Sequence, residues 1–177
     1  MAKKTKMSAK IVNYLKNVGV KHNVLEHKTV YTASDVATTM RLGLKDIAKT
    51  LLVLADKNYY IVLLSAACNL DFKKLIKVIN KISDKPVKTI KIPAEKIMES
   101  LLKIKAGAMS AFGGAHKLPV IMDKKLAKLK KAIFSSGSFN HSIEMAVKDF
   151  IKIEKVILGD FSAKRIKKVN LKQSKAK

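Results

Sequence analysis

The stretch Ile47-Ala48-Lys49-Thr50-Leu51-Leu52-Val53-Leu54 decides the fold. Its apolar run from Leu51 to Leu54 lacks polar alternation, the pattern of a strand covered on both faces. A second run, Tyr59-Tyr60-Ile61-Val62-Leu63-Leu64, follows the short polar break Asp56-Lys57-Asn58, which reads as a hairpin turn. Lys49 stands where burial begins. Its ammonium must either reach back to water or meet an anion, because burying it unpaired is costly.

Working outward, Ser8 opens a helix that repeats Ile11, Leu15 and Val18 on one face and stops at Gly19. Val20 to Glu26 has the pattern of a half-buried strand. Thr32 and Asp35 have capping-box spacing and start a helix that runs to about Leu42. After the hairpin, Asp71 caps a basic amphipathic helix with Leu75, Ile76 and Ile79 inside, and residues 83–93 form an extended connector with a short strand at 87–90. Ala94 to Lys105 carries Ile97, Leu101 and Ile104 at helical spacing, and Gly107 to Gly114 is the loop richest in small residues. Leu118 to Met122 reads as a strand and Asp123 to Lys131 as a lysine-studded helix. Short strands at Ile133-Phe134, Ile143-Met145 and Val156-Leu158 surround a helix near Lys148-Phe150. Strands and helices alternate without a strict βαβ rhythm, so a single mixed α/β (α+β-like) domain is expected over residues 8–160, between basic tails at 1–7 and 161–177.

At 177 residues, with 48% hydrophobic residues, seven Gly and three Pro, the chain suits one globular domain. No apolar run approaches the ~20 residues that span a bilayer, and the first residues lack the apolar core of a signal peptide. A single cysteine, Cys68, excludes an internal disulfide and suits a reducing compartment, so the cytoplasm is the expected location. The 37 Lys+Arg against 13 Asp+Glu give a formal net charge of +24, which attracts polyanions, nucleic acid first. Only Arg41 and Arg165 are arginines, and bidentate reading of bases favours arginine; phosphate-backbone contacts are therefore expected over sequence readout.

Standard catalytic signatures are absent. The glycine cluster at 107–114 has neither P-loop nor dinucleotide spacing, the histidines and Cys68 have no metal-ligand spacing, and no nucleophile elbow occurs. Cys68 reads either as a nucleophile or as a small core residue. His141, beside Asn140 and Ser142, reads as a base or as a hydrogen-bonded loop histidine, and His27 and His116 are open in the same way. Asp149 reads as a buried acid or as a capping residue next to Lys148.

Four segments taken together resemble the aminoacyl-tRNA editing domain, the YbaK and prolyl-tRNA synthetase-associated family. They are Thr29-Val30-Tyr31-Thr32-Ala33, Ile47-Ala48-Lys49-Thr50-Leu51-Leu52, Leu70-Asp71-Phe72-Lys73-Lys74-Leu75, and Gly107 to Gly113 followed by Leu118-Pro119-Val120-Ile121-Met122-Asp123. The resemblance spans residues 8–160. It implies a curved, barrel-like mixed sheet flanked by helices, and a free-standing hydrolase that removes a wrong amino acid from tRNA without metal or cofactor. It places the family's lysine on Lys49, which would hold the tRNA 3′ end. Gly107 and Ala111 bound the loop whose backbone orients the aminoacyl group and the attacking water, and Ala108, Met109, Ser110, Phe112 and Gly113 belong to the same substrate-binding stretch. Tyr31 and Thr32 would line the pocket that sizes the amino acid, and His141 is placed with them. Ala111 departs from the family pattern, which has proline there; proline would fix φ and remove an N–H.

The implied partners are a mischarged tRNA and, second, an aminoacyl-tRNA synthetase, with no membrane and with a monomer or homodimer as the assembly. Two rivals stand beside the deacylase: a binding module of the same fold without turnover, and a basic ribosome-associated protein whose charge is its whole function.

Overall fold

The computed structural model describes residues 6–103 and 107–165. Helix α1 (Ala9–Val18) buries Ile11 and Leu15 and ends at Gly19, whose left-handed φ of 63° brings its N–H to the Leu15 carbonyl. Strand β1 (His22–Glu26) leads to α2 (Ala33–Met40), which carries the predicted capping box: Thr32 Oγ1 accepts from Asp35 N–H and Asp35 Oδ2 from Thr32 N–H, each at 3.1 Å. Next come β2 (Ala48–Ala55), β3 (Asn58–Ser65), β4 (Cys68–Leu70) and α3 (Phe72–Asn80), the helix capped by Asp71 as expected. The remaining elements are β5 (Ile90–Lys91), α4 (Glu95–Leu102), α5 (Gly113–His116), β6 (Val120–Asp123), α6 (Lys124–Ala127), β7 (Lys131–Ser135), β8 (His141–Ala146), α7 (Val147–Glu154), β9 (Ile157–Gly159) and β10 (Ser162–Lys164).

The β2–β3 hairpin pairs from Ala48 opposite Ser65 to Ala55 opposite Asn58. Its turn is the two residues Asp56-Lys57, one shorter than the sequence reading, with Asp56 left-handed at φ 51°. The Asp56 carboxylate accepts from Thr89 N–H (2.8 Å) and Lys88 N–H (3.1 Å), and these bonds hold it below the usual carboxylate range. The hairpin is the middle of a five-stranded sheet, order β5-β2-β3-β6-β9, in which β6 and β9 run parallel to β3. A three-stranded antiparallel sheet, β1-β8-β7, meets β2 through the Ile47–Ile133 bridge, and β4 pairs with β10. The expected barrel-like closure is not found. The five-stranded sheet is open, since its ends are β5 and β9 and these two are not paired with each other.

Ile61, Val62, Leu63 and Leu64 of β3 are wholly buried. Strand alternation sends Ile61 and Leu63 into one cluster with α1, Phe134 and Phe150, the last two rings stacked at 4.1 Å. Val62 and Leu64 enter a second cluster with Leu75 and Ile79 of α3 and with Phe161. Each such side chain contributes roughly 1.5–3 kcal/mol on burial.

Three expectations are corrected. The helix expected over 123–131 is one turn, because the chain extends again at Lys131 to bury Ala132, Ile133 and Phe134 in β7. The folded part passes residue 160: Phe161 is wholly buried and β10 pairs with β4. At the other end, Met7 packs against the first cluster instead of belonging to a tail. The remaining tail residues, 1–5 and 166–177, lie outside the described residues, as do residues 104 and 105 of the helix expected to reach Lys105, which ends at Leu102 with Lys103 left-handed at φ 53°.

Asp123 joins β6 to this C-terminal corner. Its wholly buried carboxylate accepts from Phe161 N–H and Ser162 N–H (both 2.9 Å), Ser162 Oγ–H (3.1 Å) and Lys125 N–H (2.9 Å). Asp123→Ala orphans several buried donors and should lower stability by about 3 kcal/mol, read as a reduced urea midpoint. Elsewhere, burial and nearby Lys10 push the His116 imidazole down to about 4 from an ordinary 6.5. A depressed pKa contributes stability that is present above 6.5 and is lost as pH falls from there through about 4. His116→Gln should flatten that part of the stability–pH curve, measured by denaturant titration at a series of pH values.

Candidate functional site

A cavity of about 310 Å³ opens beside the start of β2. β2 is paired along its whole length with β3, but its other edge meets β5 only at Leu54 and Ala55, and the cavity lies along the stretch left free. The entry to α2 supplies Val30 to Ala33, β7 supplies Ile133 to Ser135, and Met98 comes from α4. Gly107 and Met109 close one side, and Ser138 and Ser142 complete the wall.

Of the residues singled out from the sequence, Tyr31, Thr32, Lys49, Gly107 and Met109 meet here. The capping box holds Thr32 and thereby places Tyr31, whose ring is 65% exposed and packs on Phe139 at 5.1 Å between centroids. Gly107 has φ 84°, and a Cβ on it would stand 3.4 Å from the Tyr31 carbonyl oxygen, so a side chain here would be strained and crowded.

Lys49 is half-buried, and its ammonium meets a carbonyl oxygen. It shares a face of β2 with Leu51 and Val53, and its Nζ donates to the Cys68 carbonyl at 2.7 Å. Burial first, and the Arg165 charge second, pull its pKa below the ordinary lysine value. One N–H of the ammonium is therefore spoken for, and the others remain for a ligand oxygen.

The rest of the small-residue loop is packed into the protein. Ala108 and Ser110 are buried, Ser110 Oγ accepting from Phe112 N–H at 3.2 Å. Ala111 is wholly buried and its N–H donates to the Ser135 carbonyl at 3.0 Å, so the donor that proline would remove anchors the loop to β7 and does not free it. Phe112 is a core ring against Tyr14 and Phe150, and a Cβ on Gly113 would collide with the Leu118 carbonyl and Val120. His141 Nδ1 lies 2.9 Å from Asn140 Oδ1 and 3.2 Å from Ser138 Oγ, and the residue does not line the cavity. Ala108, Ser110, Ala111, Phe112, Gly113 and His141 thus stand behind the cavity wall.

Sequence reading does not single out Thr50, Met98 or Ser142, all of which line the cavity. For Thr50 the signal was available: alternation puts it on the face opposite Lys49, toward Ala48 and Leu52. For Ser142 it was not, because its place depends on how β8 pairs. Among the described residues no group of His, Cys, Asp and Glu has the arrangement of a metal site.

The pattern of the aminoacyl-tRNA editing domain family matches residues 27–153, and the chain belongs to that family. No curated protein matches it in sequence. Among solved structures it is similar to the hypothetical protein APE2540 (TM-score 0.77, 18% identity, 87% of this chain and 99% of that one). It is also similar to a protein provisionally described as a trans-editing enzyme for prolyl tRNA synthetase (TM-score 0.73, 18% identity, 89% and 99%). A third, from Marinobacter aquaeolei VT8 and provisionally described as a signal transduction protein, shares the fold over 89% of this chain but only 31% of its own (TM-score 0.66, 14% identity). No helix among the described residues is long and apolar enough to cross a membrane.

Thr50 Oγ1 is buried without a hydrogen-bond partner on the cavity wall. A buried polar atom left unpaired lowers stability. Thr50→Val should therefore leave the thermal midpoint equal or higher, checked by thermal denaturation.

Proposed function

We propose that this chain is a trans-acting aminoacyl-tRNA deacylase, which hydrolyses the ester joining a wrong amino acid to the 3′ end of tRNA. The observation that carries the proposal is the cavity at which Lys49, Thr50, Tyr31, Thr32, Gly107 and Met109 meet in a member of the editing-domain family. An aminoacyl ester is already activated, so positioning and polarisation can supply most of its hydrolysis. Lys49 would hold ribose or phosphate oxygens of the 3′ end with the N–H groups that Cys68 leaves free. The apolar wall of Val36, Ile47 and Leu52 would take the amino-acid side chain. The net charge of +24 would draw tRNA in through its backbone, with a steep dependence on salt. The setting is cytoplasmic translation, with tRNA as partner, a synthetase as a second one, and a monomer or homodimer as the working form.

A second reading, a tRNA-binding module without turnover, is favoured by Ala111, which stands where the family has proline and ties the loop to β7. The two separate in a deacylation assay on Ala- and Cys-tRNA for proline and Ser-tRNA for threonine. Wild type should turn over one of these, and Lys49→Ala should lose about 10²-fold or more in rate with its circular dichroism unchanged. Failure to cleave any of them, with tRNA still bound, would replace the deacylase by the binding module.

A further inference from the structure

His27 and Ser142 are 115 positions apart in sequence and meet just behind the cavity, Ser142 being a lining residue and His27 standing behind it. The β1–β8 ladder brings them together: it sets Leu25 opposite Ser142 and Glu26 opposite His141, and the next residue, His27, is fixed by its N–H to the Asn140 carbonyl at 3.0 Å. The imidazole Nδ1 lies 2.8 Å from the Lys28 carbonyl oxygen and Nε2 lies 3.0 Å from Ser142 Oγ. A carbonyl only accepts, so the neutral ring carries its proton on Nδ1 and offers the Nε2 lone pair to the hydroxyl. Ser142 accordingly donates to His27, and its own lone pairs are left for whatever occupies the cavity. Orienting carbonyl, base and hydroxyl in a row is the arrangement that activates a hydroxyl.

Other serine and threonine hydroxyls on the wall are engaged differently. Thr50 Oγ1 has no partner, Thr32 Oγ1 accepts from Asp35 N–H and Ser135 Oγ accepts from Gly137 N–H. Ser138 Oγ lies 3.2 Å from His141 Nδ1, but both groups face the Asn140 Oδ1 acceptor, at 2.7 and 2.9 Å, so that nitrogen is a donor there and not a base for the hydroxyl. Neither aspartate nor glutamate is among the described residues that line the cavity.

We propose that His27 and Ser142 form the proton-accepting pair of this cavity. The assignment deepens the deacylase reading and rests on it for the substrate. As water attacks the ester carbonyl, its proton passes to Ser142 Oγ while the serine proton passes to His27 Nε2. When the carbon–oxygen bond to the ribose breaks, the imidazolium proton returns along the same route to the departing ribose oxygen. One water is consumed, the amino acid and the free ribose hydroxyl are released, and His27 ends neutral.

The test pairs two readouts on the full chain. A fluorophosphonate probes the hydroxyl without tRNA: a P–O bond to Ser142 forms, fluoride leaves and the proton goes to His27. Mass spectrometry should find the label on Ser142 in wild type, formed about tenfold or more slowly in His27→Ala and His27→Gln. Glutamine keeps an acceptor for the hydroxyl, and so keeps the link between β1 and β8, but cannot take the proton. In deacylation, Ser142→Ala and His27→Gln should each lose about 10²-fold in kcat with KM nearly unchanged. Absence of label on Ser142, labelling equally fast in His27→Gln, or full kcat in that variant would overturn the pair and leave a strand link in its place. Wild-type turnover alongside such a result would keep the deacylase. Labelling that depends on His27, in a chain that cleaves no mischarged tRNA, would keep the pair and remove the deacylase.

Discussion

Two-sided burial of β3 is the constraint on which the rest of the structure depends. Four consecutive residues, Ile61 to Leu64, have no contact with water, so both faces of the strand need a layer over them. One layer is α1 with α7 and the second sheet, and the other is α3 with Phe161. β2 inherits this position through its full pairing with β3, while β5 reaches only its far end. The open stretch of edge, between a fixed strand and the neighbouring sheet, is where the cavity forms.

Rigid packing behind the cavity explains the division within the small-residue loop. Gly107 and Met109 face the opening, whereas Ala111, Phe112 and Gly113 are locked against β7, the phenylalanine cluster and the residues before β6. Small side chains in the second half serve close packing, since even one added methyl at Gly113 has nowhere to go. A site wall backed in this way keeps its geometry without strong interactions of its own.

The chain carries a formal net charge of +24 yet buries several titratable groups at partial cost. Glu154, under the α5 turn, accepts from Gly114 N–H at 2.7 Å, and burial still raises its pKa. His116 and Lys49 are shifted the opposite way by the same desolvation. For Lys49 the bond to the Cys68 carbonyl is partial compensation, which leaves the ammonium an incompletely satisfied donor at the edge of a cavity.

Much of this was legible in the chain itself. The apolar runs around Leu52 and Ile61 specified the hairpin, the Thr32–Asp35 spacing specified a helix start, and the family resemblance pointed to Lys49, Tyr31, Thr32 and Gly107, which share one cavity. These features are local: periodicity, caps and turns act within a few residues. What tertiary structure decided was long-range. Whether the sheet closed depended on β5 and β9, whose partners are set by global packing. Whether Asp123 began a long helix depended on β7, whose Ala132, Ile133 and Phe134 are buried and which pairs with β8. Ala111 and Phe112 share a motif with Gly107 but face the core, and Ser142 meets His27 only because β8 pairs with β1 in one register. The sequence by itself determined which segments are strands, helices and candidate motifs, since these follow from near neighbours. Which of those side chains share a cavity was decided by strand pairing between distant segments, and no local pattern encodes that register.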